Sequence, residues 1–585
     1  MEYISKEQFN DSGLLNKSQQ LFVSKWCEQF NWDTIDTYRV RVMNSLTILW
    51  ELCQVVDDCI QDSISIENIK MVCLETERIL TNDDILNKYY PAESKYVVNV
   101  VQKFIKKPDL RELITLKSDT ELLRDLLEKN YLNNLLEELQ IEILENKEPN
   151  NISFLVNALG TTLLWEGFSY RFLYQLRDIF LDPRSKITFE EKFEQFIKDI
   201  TPSQKNFSVY IKFTSRKDIA KINESLGIKL QNEAFSLKNS SDLYKEFQSQ
   251  PGNICCHLEH IEALDYMAAT RIAIEKLTWL RNLVRYEFRK TEFKISPKIL
   301  VMDESDETEF MDYTEQRPLG FISTGSFGKF RYYLDNWGKA LSLTEKRLDG
   351  PSREKLINSF QFFRMGLDSE SLESKFIHTW IALEYLMKRG EHGSIISLLQ
   401  QFLPKVIATK YFGKILINLS ADLKRLKVPI DILEKNNLTV EKGKIKLESL
   451  FNVLSDITAS QKLCDDITNP FLIERISKLS TIFSDSKNMR ERVINHRNDL
   501  EWNLQRIYRL RNKIIHSAKT SMNIYQLEIN LAYYFTVLFE IVLFESSHSQ
   551  VKTSIEDIFL KYTAKYNYME YCIGTNNYNF GVLVN

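Results

Sequence analysis

From Gln19 to about Asn150, apolar residues return at three- and four-residue intervals, as at Tyr38, Val42, Leu46, Leu49, Cys53 and Val56. Almost no glycine or proline lies between them. That spacing gathers the apolar side chains on one stripe of an α-helix and predicts a wholly helical first region. The pattern runs on through residues 154–180, breaks at Pro183, and resumes over 189–200 as a short amphipathic helix before Thr201 and Pro202. This places a boundary near residue 200. The period then changes. Residues 207–213 alternate as a strand, 216–226 read as a helix ended by Gly227, and 254–261 alternate again. A long helix from about Asp265 to Tyr286 and a strand at 299–302 complete a β-α-β-α-β run, expected to form a small sheet with helices on one face. The acidic stretch 303–309 and the glycines Gly320, Gly325 and Gly328 read as loop. Gly350 and Pro351 punctuate the chain once more, and helical periodicity then continues to residue 567.

The expected fold class is therefore mainly α and multidomain: a helical region at 1–200, a mixed α/β unit at 201–350 and a helical bundle at 351–585. A chain of 585 residues is too long for a single hydrophobic core. The net charge of -4 excludes a protein that coats nucleic acid through bulk positive charge, so any such contact must come from a local patch. Eight cysteines without framework spacing, and Glu2 and Glu7 where a secretory signal would be apolar, lead to the expectation of a reducing cytoplasm. The longest strongly apolar stretch, residues 533–544, contains Glu540 and reads as too short to span a membrane.

Candidate chemistry concentrates in residues 502–518, a stretch without glycine or proline. Wound at about 100° per residue, it gathers Leu504, Ile507, Tyr508, Ile514, Ile515 and Ala518 on one apolar face, with Arg511 near the centre. A guanidinium there must meet a carboxylate or open into a cleft or interface that uses it. A second helix offers the complement. Phe376, Ile377, Trp380, Ile381, Leu383 and Met387 define an apolar face with Glu384 near its middle, so Glu384 is expected to pair with Arg511 across the bundle. An ordinary structural ion pair and a functional one are equally compatible with this pattern. Asn512 and His516 lie one turn apart, where the amide could orient the imidazole. Histidine can move the proton of an RNA 2′-hydroxyl, and arginine binds phosphate oxygens in two-pronged fashion, with no metal or other cofactor required. Between Lys487 and Lys519 there are nine Lys or Arg and three Asp or Glu, a local 9 - 3 = +6, which marks Arg506, Arg509 and Lys513 as RNA-binding candidates.

Two motifs here resemble the HEPN superfamily of helical-bundle ribonucleases, and within it the ApeA-like group associated with bacterial anti-phage defence. One is Arg511-Asn512 followed by His516, in the Arg-polar-x3-His pattern. The other is Trp380, Leu383, Glu384 and Leu386 on an upstream helix. The resemblance covers about 235 residues at the C-terminal end. It implies a bundle that dimerises so that two Arg-His motifs form one RNA-cleaving cleft, with His516 in acid/base work, Arg511 on the scissile phosphate, and a 2′,3′-cyclic phosphate product. The partners it implies are RNA such as tRNA, a second copy of the chain, and a phage-derived trigger or regulator acting through residues 1–350. A bundle that keeps the motif only for dimerisation or binding is the alternative.

Other signals carry blander expectations. Asp57, Asp58 and Asp62 read as a solvated acidic helix face. Cys255, Cys256, His257 and His260 fall on a strand whose neighbours point to opposite sides, which argues against a zinc site. Gly320, Gly325, Gly328 and Lys329 lack phosphate-loop spacing.

Overall fold

A computed structural model describes residues 4–14, 16–30, 43–61, 64, 66–144, 150–184, 187–216, 219, 228–231, 242–288, 292–304, 308–312, 342, 346–369, 371–388, 395–517 and 524–584. The protein is mainly helical, with one antiparallel sheet and a short hairpin. It divides into two compact units: Met1–Thr162, Pro183–Ser185 and Gly320–Asn585 form the first, and Leu163–Asp182 with Lys186–Leu319 the second. The three regions read from the sequence thus become two bodies, because the first helical region and the C-terminal bundle share one.

In the second unit, the helix Phe189–Ile200 opens with a capping box between Thr188 and Glu191. The sheet is built from β1 (Lys205–Thr214), β2 (Lys229–Gln231), β3 (Ile254–Ala263), β4 (Lys294–Ile295), β5 (Lys298–Met302) and β6 (Thr308–Asp312), in the order β2-β3-β1-β5-β6 with β4 on the end of β1. Helices lie on both of its faces, not on one. Cys256 and Leu258 point into a core shared with the helix Tyr266–Phe288, whereas Cys255 packs with Tyr244 and Phe247 of the helix Asp242–Ser249. That short helix, and β6 in the acidic stretch read as loop, escaped the sequence pattern. The helix expected at 216–226 and the glycines from Gly320 to Gly328, with Lys329, lie largely outside the described residues. Adjacent cysteines on opposite faces cannot bind one metal ion together, and His257 stacks on Tyr210 at 4.1 Å between ring centres.

In the first unit, the C-terminal region holds two cores. One joins the helices Gly350–Asp368, Leu372–Met387, Ile395–Ala408, Ser486–Ser517, Ile524–His548 and the start of Ile555–Gly574. The other, unforeseen in what read as one unbroken bundle, gathers Tyr411–Arg425, Leu447–Ser455, Ile457–Asp466 and Pro470–Phe483. The punctuation at Gly350 is a helix start: Asp349 accepts from the Ser352 amide, and Pro351 occupies the first turn, where its missing N–H costs nothing. Gly366 lets the first two helices approach closely, since a β-carbon there would sit 3.1 Å from Thr379 Oγ1 and 3.2 Å from the Lys375 carbonyl. The helix Ile524–His548 is long and apolar enough to cross a membrane by length and composition, and two-thirds of its apolar window is buried here in the bundle.

The N-terminal helices Ser45–Ile60 and Ile66–Thr81 pack against Ser486–Ser517 through charged side chains. Arg506 donates from Nε to Glu51 at 2.7 Å and from Nη2 to Glu75 at 2.6 Å, and Arg509 also bonds Glu51. Arg78 bonds Asp499 while its guanidinium lies 4.3 Å over the Trp502 ring. Lys513 pairs with Asp58 at 2.7 Å, which is largely covered and not the solvated residue expected, whereas Asp57 pairs with Lys117 and keeps 45% exposure; Asp62 lies outside the described residues. Burial pushes the Glu51 carboxyl up, but Arg506 and Arg509 outweigh it and hold it below the usual range. Replacing Glu51 with Ala removes the carboxylate of the buried Arg509 and one of the two held by Arg506, and is expected to cost about 3–5 kcal/mol. Asp58→Asn, at a half-exposed pair, is expected to cost under about 1 kcal/mol. Denaturation midpoints of the two variants against wild type check the contrast.

Candidate active site on the helix Ser486–Ser517

Charge and apolar periodicity divide this helix into two faces. Asp499, Trp502, Arg506, Arg509 and Lys513 follow one another at three- and four-residue steps and make up the stripe turned toward the N-terminal helices. Arg506 and Arg509 are only 6% and 7% exposed. Their nomination as RNA ligands is therefore corrected: both guanidinium groups are spent inside the fold, and Glu51, Glu75 and Asp58 offset half of the local +6. Lys513 keeps partial exposure but is held by Asp58.

The opposite face carries Leu504, Ile507, Tyr508, Arg511, Ile514 and Ile515, and its burial falls steadily toward the C-terminal end. Leu504 and Ile507 are fully buried, Tyr508, Arg511 and Ile514 partly so, and Ile515 is 47% exposed. Arg511 thus sits where the apolar face leaves the core, which explains how a guanidinium can occupy its centre without a deep desolvation cost. Ala518 lies outside the described residues.

Glu384 meets Arg511 as expected, with Nη2 to Oε1 at 4.0 Å and side chains 24% and 25% exposed. They form a rim pair, not the buried acid and base that the two apolar faces suggested. Trp380, buried in the same helix, donates its indole N–H to Glu384 Oε1 at 2.5 Å and packs its ring 5.8 Å from that of Tyr508. The Trp-x2-Leu-Glu segment is therefore a brace: tryptophan fixes glutamate, and glutamate faces arginine. Arg511 also donates from Nη1 to Asn512 Oδ1 at 3.1 Å. The amide accordingly orients the arginine and not the histidine, which corrects the role expected of Asn512.

His516 is exposed near the end of the helix and makes no hydrogen bond or ion pair among the described residues. Five residues separate it from Arg511, so the two leave the helix about 140° apart and do not converge within one chain. The fold brings together Arg511, Asn512, Glu384 and Trp380, and His516, exposed near the helix end, is not among them. Tyr508 is a site neighbour that the sequence marked only as apolar, and Trp380, named there for its motif, braces Glu384. Comparison of the chain with protein-family models, with curated proteins and with solved structures finds no match.

Behind the site, Glu528 opens the helix Ile524–His548 fully buried, with Lys375 as the nearby charge. Burial pushes its carboxyl up to about 7, the lysine only partly offsetting this. The folded protein thus holds the Glu528 proton more tightly than the unfolded chain, whose carboxyl titrates near 4.5. The resulting stability is complete below that value and is lost as pH rises toward 7, on the order of 3 kcal/mol. Melting temperature between about pH 5 and about pH 8 should fall less steeply in Glu528→Gln than in wild type.

Proposed function

We propose that the C-terminal bundle is an endoribonuclease of the HEPN type, acting without a metal ion as a homodimer whose Arg511 and His516 line a composite cleft. The observation that carries this reading is the contrast between arginines on one helix. Arg506 and Arg509 are neutralised in the interior, whereas Arg511 stands partly exposed at the rim, held by Glu384 and Asn512. The angular separation of Arg511 from His516 favours a dimer, because a second copy can bring its histidine to the first copy's arginine.

The chemistry is transesterification. The RNA 2′-oxygen attacks the adjacent phosphorus as its proton passes to one His516 imidazole, the P–O5′ bond breaks, and a second imidazole protonates the leaving 5′-oxygen. The products are a 2′,3′-cyclic phosphate and a 5′-hydroxyl, and Arg511 stabilises the charge that builds on the phosphoryl oxygens. The wider setting proposed is a cytoplasmic, toxin-like anti-phage effector acting on RNA such as tRNA, its N-terminal region answering to a phage-derived trigger.

A second reading, a bundle that binds or dimerises without cutting, draws on the lack, among the described residues, of a group orienting His516. Incubating the purified full chain with total RNA and tRNA in EDTA separates the two. Wild type is expected to cut and leave 2′,3′-cyclic ends, with His516→Ala and Arg511→Ala each reducing the rate by about 10²–10⁴-fold. Cutting that vanishes in chelator, or that survives in His516→Ala, would refute the assignment.

A further inference from the structure

The seam between the N-terminal helices and the bundle is made of charge. Arg506 and Arg509 with Glu51 and Glu75, Arg78 with Asp499, and Lys513 with Asp58 all cross it. On the neighbouring helix Pro470–Phe483, Glu474 meets Lys25 and Arg475 meets Glu28. Among the described residues, neither C-terminal core includes a side chain from Lys17–Phe30, Ser45–Ile60 or Ile66–Thr81. Even rings that the bundle sets against this seam meet cations: Trp502 lies under the Arg78 guanidinium, and Phe471 under the Lys25 ammonium at 4.9 Å.

Such a contact is specific without being strongly held. The Coulomb attraction of a buried ion pair is largely cancelled by the cost of drying both charges, so these pairs fix the register of the seam more than they add to its strength. Opening returns Arg506 and Arg509 to water together with their carboxylates and strands no charge, in contrast to the loss of Glu51 alone. Both C-terminal cores keep their apolar contacts throughout.

The last pair of the seam lies at the candidate site. Lys513 and His516, three residues apart on Ser486–Ser517, leave the helix about 60° from each other and one turn apart. Asp58 therefore neutralises the cation that flanks the histidine. Both side chains of this pair are partly exposed, at 36% and 22%, so one anion can replace another on Lys513 without unpacking a core. An RNA phosphate offers the ammonium the same charge and the same kind of acceptor as the carboxylate does.

We propose that the helices Ser45–Ile60 and Ile66–Thr81 form a charge-held clasp that opens while both C-terminal cores stay folded, and that the closed clasp is autoinhibitory because Asp58 occupies the Lys513 ammonium beside His516. The inhibitory role rests on the ribonuclease reading; the opening does not.

Hydroxyl-radical footprinting of the full-length protein reads the opening. Trp502, 7% exposed at the seam, is expected to be oxidised about fivefold faster at roughly 1 M than at roughly 0.05 M NaCl, while the rate at Trp380, fully buried in the first core, changes by less than about twofold. Equal protection of Trp502 and Trp380 at every salt concentration, or exposure of both together, would overturn the clasp. Cleavage of RNA in EDTA reads the inhibition. Asp58→Asn is expected to lower KM about threefold to tenfold, and adding Lys513→Gln should cancel that gain. An unaltered KM in Asp58→Asn, or a gain that persists in the double variant, would remove the autoinhibitory role. If neither wild type nor Asp58→Asn cuts RNA, the ribonuclease reading falls with the inhibition, and the footprint alone decides whether the clasp opens.

Discussion

The cluster of Glu51, Glu75, Arg506 and Arg509 joins buried side chains up to 458 residues apart in the sequence. Each guanidinium needs a carboxylate that its own helix does not provide, and each carboxylate sits in surroundings that would otherwise protonate it. The N-terminal helical region is therefore part of the same body as the bundle, and the helix Ser486–Ser517 is complete only when Ser45–Ile60 and Ile66–Thr81 lie against it. Lys25 with Glu474, at 2.9 Å, and Arg475 with Glu28 tie the same two regions together at a second place.

That constraint gives the helix its polarity. One side is saturated with internal charge, so whatever it presents to a substrate must come from the other side and from its exposed end. Arg511 meets both conditions, being turned toward Leu372–Met387 and placed where the core gives out. His516 meets only the second. The division of labour in the proposed site, with a braced cation and an unbraced proton carrier, follows from where the N-terminal helices stop.

Much of this was legible in the sequence. The three- and four-residue periodicity identified the helices, the alternations at 207–213 and 254–261 fell inside real strands, and the pairing of Arg511 with Glu384 could be read from two apolar faces each interrupted by one charge. The fate of Arg506 and Arg509 could not. A run of basic residues on a helix looks the same whether it faces water or a distant acidic helix, and the acids that meet it lie hundreds of residues upstream. Glu51 lies within an apolar helix that reads simply as core, so nothing in its local pattern announces a counter-ion. The second core behind 411–483 was hidden for a related reason, since helical period reports which side of a helix is apolar and not which neighbour it faces. The failure of Asn512 to reach His516 has a different origin: spacing along a helix says which side chains are near, but a long guanidinium competes for the same amide.

Gly366 has a reach beyond the packing in which it was described. The distance between the helices Gly350–Asp368 and Leu372–Met387 is set there by the lack of a single carbon, and Phe362 lies one turn before it on the same backbone. The missing carbon would meet Thr379 Oγ1, the Lys375 carbonyl and His378 Cβ of the facing helix, so the gap beside the stacked Phe362 and His378 is held by close packing at this one position. A larger residue at position 366 would have to push the two helices apart, and would shift Phe362 against Tyr385 with them.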